Sequence, residues 1–286
     1  MTQVKMNSLY RAIDFSKQSF HQKLRRRLSD KPLSEQLLAT IRGVRQDNPR
    51  MSSRMMYKVI LPNHVGRDKF EAFCFENGFR IEVKRSFHRT TNSLGVTRFD
   101  NLASTKKVTG VNQIWVSDIT YYRIGEKFYY LTFILDLYSR FIVGYSVSKD
   151  LSTAQTTLPA LRMAVKSRKD LEGLIIHSDG GGQYYHKEWL NLTRKHGMTN
   201  SMCDNVYENA HAERLNGTIK NDYLIPYGVD NYEELVAKTK KAINQYNYVR
   251  PHQSIGKRSP YQFEMALETK GRSSWITEAV THKDRP

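Results

Sequence analysis

The most informative stretch of this chain is "QIWVSDITYYRIGEKFYYLTFILDLYSRFIVGYSVS", residues 113–148. It is rich in β-branched and aromatic residues, and apolar and polar positions alternate along much of it, which is typical of β-strands. Gly125 and the Tyr138–Arg140 region carry turn signals that divide it. Three consecutive strands are therefore predicted, over residues 113–124, 127–139 and 140–148.

Helices and strands alternate after this meander. The periodicity predicts, in order, a helix over 152–168, a strand over 173–179, a helix over 186–196, a strand over 198–202, a helix over about 207–220 and a last helix over 231–248. Three hairpin-linked strands followed by two strands reached through helices imply a five-stranded mixed sheet with helices on its faces. The fold class is therefore α/β.

The first part of the chain reads as a small all-helical unit. Apolar residues at three- and four-residue spacing predict helices over 19–28, 34–48, 52–60 and 66–77, with Ser34 and Ser52 as N-caps. The connector "LPNHVG" joins the last two, as in a helix-turn-helix, and puts Arg67 and Lys69 at the start of a recognition helix. An ordinary helical bundle with a basic face is the alternative.

Charge points to the class of partner. The 286 residues carry a formal net charge of +17. Because cationic side chains that neutralise phosphates release counterions, this excess favours a polyanionic partner, and nucleic acid is the expected class. A solvated basic surface and a membrane-surface protein are the alternatives, but no amphipathic basic anchor accompanies the excess.

Composition also bears on the compartment. No apolar run approaches the roughly 20 residues that cross a bilayer, and the first residues lack the apolar core of a secretory signal. Cys74 and Cys203 form neither a metal-binding pair nor a disulfide framework. A cytoplasmic, nucleoid-associated protein with no membrane partner is the expectation.

Three acidic residues stand out by position. Asp118 lies inside the first predicted strand and Asp179 closes the fourth, although carboxylates are poor occupants of strand interiors. If these strands are neighbours, both carboxylates meet near the centre of the sheet, and a helix packed there can present Glu213 to them. Each also has an ordinary interpretation: an arginine partner for Asp118, a turn at Asp179, a solvated helix position for Glu213.

Carboxylates this close repel one another unless a cation lies between them. Oxygen-only ligands suit hard dications, so Mg²⁺, with Mn²⁺ as a substitute, is the expected cofactor. Two ions per site, roughly 4 Å apart, would activate a water or a 3′-hydroxyl and stabilise the leaving oxygen of a phosphodiester.

The stretch "NAHAERLNGTIK" (209–220) adds DNA contacts to this set. On a helix, Asn209, Glu213, Asn216 and Lys220 share one face at spacings of four, three and four. Lys220, Asn209 and Asn216 would then bind and position a DNA strand entering the site, and Arg214 would meet a backbone phosphate. A solvated amphipathic face would give similar spacing.

Four blocks of sequence carry a family resemblance. "WVSDITYY" (115–122), "YLTFILDLYSRFIVGY" (130–145), "IIHSDGGGQY" (175–184) and "YENAHAERLNGTIK" (207–220) resemble, in order, blocks of the DDE insertion-sequence transposases related to retroviral integrases. "YNYVRPHQSIGKRSPYQFE" (246–264) is similar to the C-terminal signature of the second-frame product of the two-frame group. One departure is "GGGQ", where an arginine-containing "RGSQ" is usual.

The resemblance implies an RNase H-like fold, divalent metal, DNA strand cleavage by water and strand transfer by a 3′-hydroxyl. It assigns the catalytic and metal-binding roles to Asp118, Asp179 and Glu213. With it, the chain divides into a helical DNA-binding domain at 1–90, a linker at 91–110, an integrase catalytic core with C-terminal helices at 111–268 and a tail at 269–286.

The family also implies partners. Double-stranded DNA is the expected partner, in the form of transposon terminal inverted repeats and target DNA. Assembly with identical or first-frame-fused subunits is expected because paired ends need at least two active sites. Two other functions remain open. One is a catalytically silent second-frame product that regulates transposition by binding DNA, and the other is a cellular ribonuclease of the same fold.

Overall fold

The computed structural model describes residues 16–81, 99–104, 106–203 and 209–269, and gives the backbone alone at residues 24 and 26–33. The first part of the predicted linker, the start of the helix predicted at 207 and nearly all of the predicted tail lie outside these ranges.

A five-stranded mixed sheet forms the centre of the chain. Its strands are β1 (Ile114–Ile124), β2 (Lys127–Asp136), β3 (Ile142–Ser148), β4 (Ile175–Ser178) and β5 (Thr199–Met202). The order is β3-β2-β1-β4-β5, with the first three antiparallel and β4 and β5 parallel to β1. The prediction of five strands in a mixed sheet, with the first and fourth adjacent, is confirmed.

The turn between β2 and β3 shortens both predicted strands. The carboxylate of Asp136 accepts hydrogen bonds from the backbone N–H groups of Tyr138 and Ser139, at 3.0 and 2.9 Å. Arg140 has a positive φ of 64°. These local bonds take the backbone out of the ladder, so β2 ends at Asp136 and β3 begins only at Ile142.

Eight helices of eight residues or more are described. They are α1 (Lys17–Asp47), α2 (Ser53–Ile60), α3 (Arg67–Glu76), α4 (Thr157–Ser167), α5 (Lys187–Lys195), α6 (Ala210–Gly217), α7 (Tyr232–Asn244) and α8 (260–269). The chain continues beyond α6 as a π-helical segment, Thr218–Leu224, and beyond α7 as another, Gln245–Val249. The last predicted core helices therefore exist, but each changes its winding near its end.

Helices cover both faces of the sheet. On one face α6, its π-helical extension and α7 pack against residues that include Ile114, Val116 and Ile175. On the other face α4 and α5 pack against residues that include Trp115 and Ile176. Because side chains alternate along a strand, odd and even positions of β1 enter different cores.

The N-terminal helices differ from the prediction in one respect. Residues 17–47 form one continuous helix, so the N-cap predicted at Ser34 is wrong: Ser34 lies inside α1. The helix runs on through the stretch at 29–35, although this stretch contains Pro32. Ser52 does cap α2, since its hydroxyl accepts from the N–H of Met55 at 3.3 Å.

The helical unit has its own small core and rests on the sheet domain. Residues Ile41, Met51, Met56, Phe70 and Cys74 form that core. Asn48 connects the two parts, because its Nδ2 donates to Gln245 at 2.9 Å and its Oδ1 accepts from Tyr223 at 3.2 Å. Lys241 adds an ion pair with Asp47 at 2.7 Å. In the described ranges no helix is both long and apolar enough to cross a membrane.

Gly144 on β3 is a position where the packing tolerates no side chain. A Cβ there would overlap the carbonyl oxygen of Ala160 and lie 2.9 Å from the Cβ of Ala164, both on α4. We expect Gly144→Ala to lower the free energy of unfolding by about 1–3 kcal/mol, because strand and helix must separate to admit the methyl group. Urea denaturation followed by circular dichroism measures this.

Gly43 is the matched control, since it lies exposed in α1 and a Cβ there meets nothing within 4 Å. Gly43→Ala should raise the free energy of unfolding by about 0.5–1 kcal/mol, because alanine restricts the unfolded backbone. Equal effects at both positions would contradict the close packing of β3 on α4.

Candidate active site

The parallel pairing of β1 with β4 places two carboxylates next to each other. Val116 lies opposite His177 in this pairing, and two further residues along each strand are Asp118 and Asp179. Asp118 shares its face of β1 with Val116, which packs under α6 and α7. Both aspartates are partly buried at the point where β4 ends.

Glu213 comes to this place from the covering helix. Its neighbours Ala212 and Leu215 are buried in the core beneath α6, whereas Glu213 itself is exposed. Its negative charge acts on Asp118. The sheet and α6 therefore bring the three predicted carboxylates to one region, with two in the sheet and one at the rim.

The pKa of Asp118 records this crowding. It is raised from 3.8 to about 7, first by burial and then by the charge of Asp179, with Glu213 acting in the same direction. The N–H of Ile119, which donates to Asp118 Oδ1 at 2.9 Å, and the charge of Lys220 oppose the rise. Burial also raises the pKa of Asp179, against a hydrogen bond from Gly181.

Three side chains of the predicted helix face donate to β1. Asn209 Nδ2 donates to the carbonyl oxygen of Ser117 at 3.0 Å, and Asn216 Nδ2 donates to Asp118 Oδ2 at 2.7 Å. Lys220 Nζ donates to Thr120 Oγ1 at 2.8 Å. The four-three-four spacing thus corresponds to one face, which lies along the strand that carries Asp118.

The two amides are engaged in the protein. Asn209 is 2% exposed and Asn216 is 5% exposed. The Oδ1 atoms of both are buried without a hydrogen-bond partner among the described residues. Asn216 therefore orients Asp118 directly, while Asn209 holds the start of α6 against β1; any contact of either with DNA stays a prediction.

The glycine-rich turn after β4 shapes the other side of the site. Gly180 has a positive φ of 78°, and a Cβ there would lie 2.6 Å from Met202 Sδ. The N–H of Gly181 donates to Asp179 Oδ1 at 3.1 Å. Only a residue without a side chain allows the backbone to turn this closely around Asp179.

The carboxylates suit a hard cation chemically, although they do not form a ready-made cage. None of the ion pairs in the described ranges involves Asp118, Asp179 or Glu213. Within the same ranges, no three His, Cys, Asp or Glu side chains stand close enough to hold one ion together. The donors are oxygens and the negative charge is uncompensated by an ion pair, which is the chemistry that a dication would satisfy.

The remaining predicted DNA contacts lie elsewhere. Arg67 and Lys69 are exposed at the start of α3, in the helical unit. Arg67 already pairs with Asp68 at 2.8 Å and with Glu71 at 3.8 Å. Arg214 is exposed on α6, next to Glu213 in sequence.

His177 has a structural place although it shares a strand face with Asp179. It is buried, its Nδ1 lies 2.9 Å from Ser201 Oγ and its Nε2 lies 3.2 Å from Cys203 Sγ. Asn247 and Arg250 likewise dock the C-terminal segment: Asn247 bonds both backbone groups of Ile142, and Arg250 pairs with Asp222 at 2.7 Å.

Sequence reasoning missed Arg140, a second cation beside Arg214 at the start of α6. Arg140 Nη1 lies 2.9 Å from His211 Nδ1. The pKa of His211 is lowered to about 4, chiefly by burial and then by the charges of Arg140 and Arg214, so its ring is neutral at pH 7 and accepts this bond. No local signal pointed to Arg140, because a turn between strands brings it to α6.

Comparison with known proteins fits this geometry. The family model described as Integrase core domain matches residues 108–206, and a second model of the same description matches residues 188–260. An uncharacterized 31 kDa protein of insertion element IS600 from Shigella sonnei is 37% identical over 205 residues, which are 70% of this chain and 75% of that protein. The chain belongs to the insertion-sequence transposase family with an integrase core.

A second relative of this chain is a transposase. Transposase InsF of insertion sequence IS3A from Escherichia coli K12 is 33% identical over 192 residues, 65% of this chain and 66% of that protein. The resemblance to insertion-sequence transposases with an integrase core is thereby confirmed.

Two solved structures are also similar. The HTLV-2 integrase catalytic core in complex with magnesium is 24% identical and covers 53% of this chain and 94% of its own, with a TM-score of 0.43. A simian T-cell lymphotropic virus intasome subunit is 20% identical and covers 56% of this chain and 58% of its own, with a TM-score of 0.45.

The raised pKa of Asp118 predicts a pH-dependent gain from removing its charge. The pKa of Asp118 is higher in the folded than in the unfolded protein, so its protonation contributes to stability. This contribution is fully present below about pH 4 and is lost as pH rises through about 7. In metal-free protein, Asp118→Asn should therefore match the wild type near pH 4 and exceed its free energy of unfolding by about 2–4 kcal/mol at pH 8. Urea titrations at several pH values in EDTA measure the difference.

Asp150→Asn is the control of opposite sign. Hydrogen bonds from Ser152 lower the pKa of Asp150 on the surface. Its stabilising effect is present above about pH 4 and is lost as pH falls through its folded pKa. A gain of stability in Asp118→Asn that does not grow between pH 4 and 8 would contradict the crowding of charge at the site.

Proposed function

We propose that this chain is an active transposase that binds insertion-sequence ends, cleaves DNA strands and transfers their 3′ ends to target DNA. The observation that carries the proposal is the adjacency of Asp118 and Asp179 across β1 and β4, under a helix that contributes Glu213 and Lys220. Membership of the insertion-sequence transposase family supports the same conclusion.

Asp118, Asp179 and Glu213 would hold two Mg²⁺ ions, for which Mn²⁺ can substitute. Magnesium, when bound, supplies Lewis acidity that activates the attacking oxygen and stabilises the leaving oxygen. Asn216 fixes Asp118 and the N–H of Gly181 fixes Asp179, so two ligands are oriented before any cation arrives. Glu213 is exposed at the rim and completes the set when the substrate is bound.

The reaction follows two displacements at phosphorus. In cleavage, the oxygen of water attacks the phosphorus at the transposon end, the bond to the 3′ oxygen breaks, and that oxygen leaves as a 3′-hydroxyl after taking a proton. In strand transfer, this hydroxyl loses its proton and attacks the phosphorus of a target phosphodiester. The bond to the target's 3′ oxygen breaks, and that oxygen takes up a proton. Lys220 holds a phosphate next to the reacting one, because its ammonium lies beside Asp118 on β1.

DNA contacts extend from the site in both directions. Arg214 would bind a backbone phosphate near Glu213, together with Arg140. Arg67 and Lys69 on α3 would contact the terminal inverted repeats, with residues 1–90 as the end-binding domain. Since paired ends need at least two active sites, the working form is an assembly of identical or first-frame-fused subunits.

Strand cleavage tests the proposal directly. Purified full-length protein with Mg²⁺ should nick duplexes that bear the ends of its own element and join the product to a plasmid. Asp179→Ala should lower the rate by about 10³-fold or more while leaving the affinity for the duplex intact, because it removes a metal ligand and no phosphate contact. Gel assays of cleavage and of mobility shift measure both.

Glu233→Ala, which removes an exposed carboxylate on α7, serves as the matched control and should keep full activity. A wild-type protein that binds the ends but cleaves nothing would support the silent regulator instead. Hydrolysis of RNA–DNA hybrids without cleavage of the ends would support a ribonuclease.

Metal binding has a readout that does not need turnover. Saturating Mn²⁺, at about 100 times its dissociation constant, should stabilise the wild-type protein by about 2.7 kcal/mol at pH 8. The stabilisation should weaken as pH falls below about 7, since protons compete for Asp118. Thermal denaturation with and without Mn²⁺ measures it, and an equal shift in Asp118→Asn would place the ion elsewhere.

A further inference from the structure

In the part of the chain that the structure describes, the far end of β1 has an open edge beside the candidate site. On that side β1 pairs with β4 only over Ile114–Val116, and β4 ends at Ser178. Beyond this point Lys220 occupies the edge: its Nζ donates to Thr120 Oγ1 at 2.8 Å and to the carbonyl oxygen of Tyr121 at 3.4 Å. The edge therefore continues from the carboxylates towards the hairpin that joins β1 and β2.

Two aromatic rings lie on this part of the hairpin. Tyr121 is 44% exposed and Phe128 is 48% exposed, although both are large and apolar. In the antiparallel register Tyr121 faces Tyr130, so Phe128 is its diagonal neighbour on the same face. Their ring centroids are 5.5 Å apart at 83°, an edge-to-face contact that holds the ring of Tyr121 in place.

Positive charge accompanies the rings. Lys220 Nζ is 5.3 Å from the centroid of Tyr121, and the guanidinium of Arg123 is 5.9 Å from the centroid of Phe128. Arg123 is neutralised by Glu126 at 2.8 Å. Lys220 donates to two neutral oxygens, so its charge can meet an anion beside Tyr121.

A half-exposed aromatic ring beside an ammonium suits one nucleotide of a single strand. The ammonium binds the phosphate, and the ring stacks on the base, whichever base it is. A base pair inside a duplex cannot use such a surface, because its faces are already stacked. Two rings form too small an apolar area for a stable protein interface, and their continuity with Lys220 and Asp118 favours nucleic acid.

We propose that Tyr121, supported by Phe128, is a stacking surface for an unpaired base of the DNA strand whose phosphate Lys220 binds. The inference rests on the proposed function, since Lys220 is placed beside the reacting phosphate by that function. It adds that at least one base pair at the transposon end is opened when the end enters the site.

Binding in EDTA tests this without strand cleavage. The probes are a short blunt duplex with the element's end sequence and the same duplex with an unpaired 3′ extension that carries 2-aminopurine. The wild-type protein should prefer the extended duplex and quench its fluorescence by stacking. Tyr121→Ala should bind the extended duplex about 5- to 150-fold more weakly and lose the quenching, with no change for the blunt duplex.

Three variants sharpen the result. Tyr121→Phe keeps the ring and should keep both preference and quenching. Tyr261→Ala removes a tyrosine that is also 44% exposed, on α8, and should behave as the wild type. Lys220→Ala should weaken binding of both probes alike, because a phosphate contact does not depend on pairing.

Equal affinity of the wild-type protein for the two probes, or an undiminished preference in Tyr121→Ala, would overturn the inference. A Tyr121→Ala variant whose oligomeric state changes while its probe preference does not would assign the rings to a protein contact and overturn it as well. Absence of cleavage by the wild-type protein with quenching intact would remove the proposed function and leave the stacking surface standing.

Discussion

Electrostatic repulsion between Asp118 and Asp179 is the constraint around which the sheet domain is organised. Burial, and then the charge of Asp179, raise the pKa of Asp118 to about 7, so the charged form of Asp118 is costly at this place. The fold holds both carboxylates there because the apolar residues on both strands fix the parallel register of β1 and β4. A slip of one residue would turn Asp118 to the opposite face, under α4 and α5.

The helix over this face is fastened along the strand by polar bonds as well as apolar packing. Asn209, Asn216 and Lys220 bond Ser117, Asp118 and Thr120 in parallel order, so helix and strand run side by side at the site. The helix widens into π-helical winding at Thr218, before Lys220. Such interruptions are frequent at functional sites, where they re-aim a side chain without ending the helix.

Much of the fold could be predicted from residue patterns, and the reasons are local. β1 to β3 alternate with period two and carry turn residues between them, and β4 and β5 are separated by a helix that forces a crossover. The predicted boundaries failed where side chains bond the backbone, as Asp136 does after β2. They also failed at Ser34, because a polar stretch can belong either to an exposed helix or to a connector between helices.

The site was predictable in part for the same reasons. Asp118 and Asp179 stand out because charge inside a strand is costly, and the helix spacing brings Asn216 and Lys220 to Asp118. Arg140 and the open edge at Tyr121 gave no signal, because each depends on tertiary contacts between segments distant in sequence. The buried orphan oxygens of Asn209 and Asn216 are likewise visible only in three dimensions.

The contact of the helical unit with the sheet domain has a geometric consequence. Asp47 is the last residue of α1 and Asn48 is its C-cap. Asp47 pairs with Lys241 on α7, and Asn48 bonds Gln245 and Tyr223 in the two π-helical segments. These contacts position the helical unit, which carries α3, against the sheet domain, which carries the carboxylates. A DNA molecule that contacts both α3 and the carboxylates must span the separation that these contacts set.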